Sequence, residues 1–593
     1  MGILVAVVLV VYSGAFSAPF VWDDEEMVVG NPLIQKLSNI PTIFTSGPFM
    51  EKWDAGQFYR PMQTVSYTLD YAIWGGAKAP GFHATNVVIH VASTLMVMLV
   101  LEAFGLGTMM AFWAALIWGV HPMNIEAVTY VSGRGDALFM LCSLLSIWAW
   151  IKAVNGKGHY YPAAILAWGV AILSKENALP VPLIMSVYLM LRPQPQGEIE
   201  SESAPWSNRN HHFLNLALVG GYIVFRLLVL KGGQSEALSW IASSVFWERV
   251  WTFPYIIFTY LRLWFLPYPL HMEYHYVAES LMDPYIWIGL PIVGGLFYGF
   301  WKLVDRRDFW FYGAWVALGL GPVDNIVLPL AATLREHWFY LSGIAMSVLC
   351  LKAAATLYAR YRLCCKMPKS SHFRFPHLDE PNRVKRQMRA LGILLTSLFL
   401  QNWVPVAAGV LVVLVLSGVS MVRNEDWQDA LDLYEHDLQF EPRSFLLHNN
   451  VGVEYFRRQD FVKAKAAFKA SIENSPSGGY GTAYNNYGVI LENEGKINEA
   501  IEAFQTSINL SRYPLAYGNL GRVLLTQKRP DQAAVVLEQG VQANPFMPQL
   551  RYYLGFAYLQ LNQHQRALDV FVKLDALSPG YADTQKIIAT LRR

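Results

Sequence analysis

Apolar runs recur through the first 421 residues of this 593-residue chain and limit its fold more than any other feature. They lie at 2–18, 86–104, 108–120, 136–154, 161–174, 177–191, 212–230, 249–266, 284–303, 309–322, 338–357 and 395–421. Most approach the roughly 20 residues that a bilayer core demands of a spanning helix, and the shorter ones are expected to be tilted, broken or partly interfacial. Composition agrees: 54% of residues are hydrophobic and 15% charged, where a soluble domain carries nearer a quarter charged. The chain reads as an integral membrane protein with lipid as its first partner. A net charge of +2, with no basic aromatic stripe outside one loop, argues against a nucleic-acid partner. Cys142 and Cys350 lie in apolar runs and Cys364-Cys365 in that basic loop, so neither a disulfide framework nor a zinc spacing is expected. Ala15-Phe-Ser-Ala18 resembles a signal-peptide cleavage site, but further apolar runs follow it, and a retained span is the preferred reading.

Lysine and arginine set the orientation. The stretch 358–390 holds Arg360, Arg362, Lys366, Lys369, Arg374, Arg383, Lys385, Arg386 and Arg389, a density that belongs to a cytoplasmic loop. Everything after the last apolar run is then expected outside. Counting forward from a cytoplasmic start puts the end of the first run outside too, but the eleven runs before the basic loop then give it the wrong parity, so one is miscounted. Leu238–Arg249, an interfacial helix or part of a further crossing, is the place to look.

After Val422 the chain becomes polar, helical and periodic. Gly452, Gly488, Gly521 and Gly555 stand 36, 33 and 34 residues apart, and Ala464, Ala500, Ala533 and Ala567 keep the same spacings. That is the tetratricopeptide period, in which small residues let paired helices approach while Phe468, Phe504, Leu537 and Phe571 fill the groove. Ala430, Tyr434 and Pro442 fit the second half of a preceding unit, so the array is expected to begin directly on the last membrane helix. The predicted fold is all-α: a multi-span membrane domain over 1–422, with a first external loop at 22–85 and the basic cytoplasmic loop at 358–390, followed by a tetratricopeptide solenoid over 423–593.

Candidate chemistry gathers where apolar runs end. Asp23 and Asp24 stand just past the first run, and acids held at the membrane surface are candidates for a catalytic base, the ordinary alternative being a solvated span end. Other polar groups that should share that face are His121 to Glu126, Ser132 to Asp136, Ser174 to Asn177 and Arg335 to His337. Each has a bland reading as an interfacial cap or neutralised pair; together they supply cations for a phosphate and acids for deprotonating a hydroxyl.

Trp22-Asp-Asp24, Tyr59-Arg-Pro61, Gly81-Phe-His-Ala-Thr-Asn-Val-Val-Ile-His90, His121-Pro-Met-Asn-Ile-Glu-Ala-Val128, Gly133-Arg-Gly-Asp136, Ser174-Lys-Glu-Asn177 and Glu336-His-Trp-Phe-Tyr-Leu341 run in a familiar order. The chain resembles the transmembrane and tetratricopeptide-repeat O-mannosyltransferases and their bacterial relatives over nearly its whole length. The resemblance implies a GT-C glycosyltransferase fold, a polyprenyl-phosphate sugar as donor, a protein hydroxyl as acceptor, and the Asp23-Asp24 pair as catalytic motif. Where the family usually has Glu-Arg before its aromatic-Leu stretch, this chain has Glu336-His337, with Arg335 one place earlier.

On this reading Asp23 or Asp24 is the base. Arg60, Arg134 and Lys175 take the donor phosphate, and His121, Glu126, Asp136, Glu176, Arg335, Glu336 and His337 support them. Glu126 and Asp136 are placed to orient the cations or to bind a metal; a divalent ion is conceivable at the acids, but too few ligands can be named to commit to one. The repeat array would guide an acceptor protein or peptide to the acids. Asp24→Asn is expected to spare folding and abolish transfer. The rivals are a non-catalytic tetratricopeptide scaffold for envelope assembly or secretion and, more remotely, a transporter, which would want mid-span charges that only Asp324 approaches. The compact loops favour a bacterial inner membrane with the array in the periplasm; an endoplasmic-reticulum enzyme would carry it in the lumen.

Overall fold

The computed structural model describes residues 1–45, 59–191, 208–229, 240–326, 329–330, 332–364, 403–476, 479–545 and 547–593. Within them the protein is helical, and the extended pairing it shows is one bridge between Tyr274 and Leu334. Residues 365–390 of the expected basic loop, and 46–58 of the expected first external loop, lie outside the described residues.

Six helices are long and apolar enough to cross a membrane: Ala79–Ala103, Val131–Val154, Arg209–Leu228, Pro284–Leu303, Glu336–Tyr361 and Val404–Asp426. Shorter apolar helices at Gly2–Val11, Thr108–Gly119 and Glu176–Leu191 pack among them. The first is only 10 residues long, half of what a full crossing needs, because the chain tightens at Ser13–Ser17 before reaching the acids. Pro61–Trp74, which sequence reading left in an external loop, is a 14-residue helix with proline in its first turn. Residues 230–239, with Leu238, lie outside the described residues; the rest of Leu238–Arg249 forms the four-residue helix Trp240–Ser243 and the start of Phe246–Phe265.

The helices divide by what they face. Asn208–Val229 and Pro284–Leu303 turn Phe213, Leu216, Leu227, Leu228, Trp287, Ile288 and Phe297 outward, an apolar surface that water would not tolerate and lipid tails would. Ala79–Ala103 and Tyr340–Cys364 lie inside, joined by polar ties: His90 meets the Tyr340 hydroxyl at 2.6 Å and the Gly119 carbonyl at 2.8 Å. Trp118, fully buried, donates its indole N–H to the Tyr340 carbonyl at 2.9 Å.

The last span, Trp403–Asp426, turns at Trp427 straight into Ala430–Phe440, whose first amides are capped by Asp429. Leu431, Leu433, Tyr434, Leu447, Val451 and Ala467 belong to the same buried cluster as Leu4, Trp118 and Tyr340, so the first repeat shares the membrane domain's core. Beyond it, helix pairs alternate from Phe445–Arg457 to His564–Leu577, and Thr584–Leu591 covers the last pair. A Cβ added at Gly452, Gly488, Gly521 or Gly555 would come closer than 3 Å to Phe468, Phe504, Leu537 or Phe571, the close approach that the repeat period required.

Candidate active site

The acidic pair is split by the local backbone. Trp22 adopts a left-handed conformation (φ 51°), so the chain reverses between the Ala18–Val21 segment and the acids. Asp24 is fully buried: its Oδ1 accepts the Ser132 N–H at 2.7 Å and the Ser132 hydroxyl at 2.5 Å, and its Oδ2 accepts the Val21 N–H at 3.1 Å. Burial pushes its titration up to about 7 against these three hydrogen bonds, which pull it down. Asp24 is a clamp that joins the first loop to the Val131–Gly133 turn. Asp23 is exposed. Its own N–H donates to the Tyr130 hydroxyl at 3.1 Å, and its carboxyl lies in a recess whose crowding walls raise its titration, offset by the Tyr130 hydroxyl, Arg335 and Arg60.

From Arg335 a chain of alternating acidic and basic side chains runs inward. Its Nη1 is 3.5 Å from Glu126 Oε1, while Glu126 Oε2 is 2.8 Å from His337 Nδ1. His337 Nε2 is 3.8 Å from Asp136 Oδ2, which accepts Lys175 Nζ at 2.6 Å. Burial opposes the Glu126 charge, but His337 and Arg335 together hold its carboxyl below the ordinary range. Arg60, at the start of Pro61–Trp74, pairs with Glu176 through Nε at 3.0 Å and through Nη2, and its charge acts on Lys175 and Asp23. Glu126, Asp136, Lys175, Glu176, Arg60, Arg335 and His337 therefore form one network that opens at Asp23. Arg60 and Arg335 are its partly open cations, their side chains 21% and 18% exposed, whereas Lys175 is buried.

Four predicted site residues sit elsewhere. Arg134 is fully buried, and its guanidinium is used up by Asp70 at 2.7 Å, the Phe82 carbonyl at 2.8 Å and Asn86. It fastens helices together and cannot meet a phosphate. His121 stacks on Trp264 at 3.9 Å, caps Met123 and bonds to the Trp264 carbonyl. Glu336 is spent on the His271 N–H at 2.7 Å and the Tyr274 hydroxyl at 2.8 Å. Asp24 is the fourth.

Sequence reasoning missed Glu273, which is fully buried and accepts Arg335 Nη2 at 2.7 Å, His275 Nε2 at 2.6 Å and the Ser444 hydroxyl at 3.1 Å. Its signal was present: Leu270-His-Met-Glu-Tyr-His275 places two histidines and an acid just beyond the apolar run at 249–266. It also missed Trp22, whose N–H donates to the Tyr434 hydroxyl at 2.9 Å and whose ring lies 5.9 Å from the Arg335 guanidinium. Through that bond, and an ion pair between Glu25 and Arg457 at 3.3 Å, the acid turn touches the repeat array. Among the described residues no three His, Cys, Asp or Glu groups are arranged to hold a metal ion.

Residues 65–207 match the family described as dolichyl-phosphate-mannose-protein mannosyltransferase, and residues 481–513 and 519–582 match tetratricopeptide repeats. The Drosophila melanogaster protein O-mannosyl-transferase Tmtc1 is 24% identical over 524 residues, 84% of this chain and 59% of that one. Human TMTC3 is 21% identical over 638 residues, 98% of this chain and 64% of its own length. Over most of its length this chain is similar in sequence to the Tmtc protein O-mannosyl-transferases. It spans less than two thirds of the length of these relatives. Among solved structures, MamA of Desulfovibrio magneticus is 23% identical over 25% of this chain and 84% of its own, with a TM-score of 0.23. The match at 65–207 includes Glu126, Asp136, Lys175 and Glu176 but not the acids, Glu273 or Arg335.

Proposed function

We propose that this protein is a membrane glycosyltransferase of GT-C type that moves a sugar, mannose by its relatives' names, from a polyprenyl-phosphate carrier to Ser or Thr hydroxyls of a protein. The observation that carries this reading is the exposed Asp23 carboxyl, near enough to the partly open guanidinium groups of Arg335 and Arg60 for their charges to hold its titration down, while its twin Asp24 is locked in the fold. A base and phosphate-matching cations in one recess are what the transfer needs.

A sugar joined through C1 to a lipid phosphate is already activated. The acceptor oxygen attacks C1, its proton passes to the Asp23 carboxylate, and the C1–O bond to phosphate breaks with its electron pair leaving on the phosphate. Arg335 and Arg60 then face more negative charge than in the ground state, and it is this difference that lowers the barrier. Glu126, Asp136 and Glu176 keep those cations and Lys175 charged and in place. The carrier's tail would lie against the lipid-facing helices, with its head group at the recess.

Helix Tyr340–Cys364 supports an external site. Its 25 residues span about 37 Å, with Arg335 just before one end and Arg360 near the other. If the basic stretch is cytoplasmic, the acids and the array that touches them face the periplasm or lumen. Purified protein given radiolabelled polyprenyl-phosphate mannose and a Ser/Thr peptide should label the peptide, and GDP-mannose should not substitute. Labelling from neither donor would leave the scaffold as the better reading.

A further inference from the structure

Arg335 is aimed by its neighbours. Glu273 takes one of its Nη groups at 2.7 Å, and the two other groups that hold the Glu273 carboxylate come from separate parts of the chain: His275 at 2.6 Å and the Ser444 hydroxyl at 3.1 Å. Ser444 caps Phe445–Arg457, the first helix of the first complete repeat, its Oγ accepting the Leu447 N–H at 3.2 Å. The strap 271–275 that carries Glu273 is pinned on both flanks. On the membrane side the His271 N–H and the Tyr274 hydroxyl reach Glu336; on the array side the Met272 N–H reaches Asp437 at 2.7 Å and the His275 N–H reaches Glu441 at 3.3 Å.

We propose that Glu273 is a positioning residue for Arg335, and that the docked first repeat, through Ser444, is part of the device that aims this guanidinium at the donor's phosphate. The proposal rests on the transferase reading above. A buried carboxylate stays put only while it is paired, and Glu273 is paired by the arginine, the strap and the array at once. A planar guanidinium with one Nη fixed has its remaining donors fixed too, and a misplacement of about 1 Å at a reacting group costs on the order of 100-fold in rate. The recess is thus assembled from both halves of the protein.

The test is a double-mutant cycle on the full-length protein in lipid nanodiscs, read as binding of radiolabelled polyprenyl phosphate without sugar. Glu273→Gln and Arg335→Gln should each weaken binding tenfold or more, and the double variant should be no worse than Arg335→Gln. Ser444→Ala should weaken binding by a smaller factor that vanishes in the Arg335→Gln background. In transfer assays Glu273→Gln should lower kcat and leave the acceptor KM unchanged. Wild-type affinity in Glu273→Gln, losses that multiply in the double variant, or no phosphate binding by the wild type would each overturn the proposal. If Glu273→Gln does not fold, Ser444→Ala decides: no loss, or a loss that persists without Arg335, overturns it. Coupled loss of phosphate binding in a protein that transfers no sugar would support the role of Glu273 and sink the transferase reading alone.

Discussion

Asp24 bridges two backbone N–H groups, that of Ser132 on one oxygen and that of Val21 on the other, and an amide cannot do this because one of its two ends is a donor. Asp24→Asn is therefore expected to cost about 1–3 kcal/mol of stability, seen as a lower Tm in detergent, in contrast to the neutral fold that the sequence alone suggested. Asp23→Asn removes an exposed charge and should leave Tm unchanged. Arg134→Met leaves Asp70 charged and buried without its partner, at a cost of about 3–5 kcal/mol, so the purified variant should be poorly folded rather than selectively inactive. The pH profile follows from Asp23: the walls of its recess shield its carboxyl from solvent and raise its titration, and the base works deprotonated, so transfer should rise with pH through a midpoint above the ordinary aspartate value of about 3.9. A midpoint at or below that value would remove Asp23 from the role. Sequence could bring these acids and cations to one face, but it could not separate the twins. That separation depends on a left-handed Trp22 and on a turn more than a hundred residues away.

The elements were legible in proportion to their periodicity. Apolar runs and repeat glycines each carry a strong local signal, and the helices found at those places follow from it. Helix Pro61–Trp74 was missed because its buried face includes Gln63, Thr64, Thr68 and Asp70 beside Tyr67, so it reads as a polar loop. The strap 271–275 was missed because it has no period at all; its shape is set by Glu336 on one side and Asp437 and Glu441 on the other, contacts that span more than 60 and 160 residues. Within the array, Gly488→Val would drive a side chain into Phe504, an overpacking worth about 1–3 kcal/mol. Limited proteolysis should show new cleavage near 481–511, while the membrane domain, whose core does not include this pair, stays protected. Cleavage unchanged from wild type would mean that the pair is looser than its packing implies.

At the scale of the whole molecule, the boundary between membrane domain and array is a point in sequence but not in the core. Leu447, Val451 and Ala467 pack with residues of the spans, so a cut after 444 keeps Asp437 and Ser444, which hold the strap, but strips away part of the core that seats them. Protein ending at 444 is expected to aggregate on size exclusion in detergent, whereas protein ending at 511, which keeps the first two complete helix pairs, should elute as the full chain does. A well-behaved protein ending at 444 would show the two halves to be independent. The assay that bears on the whole scheme is mannose transfer from polyprenyl-phosphate mannose to a Ser/Thr peptide by Asp23→Asn, alongside its Tm. Transfer should fall on the order of 10²–10⁴-fold with Tm at the wild-type value; transfer within a few-fold of wild type would mean that Asp23 is not the base and that the recess does not perform this chemistry.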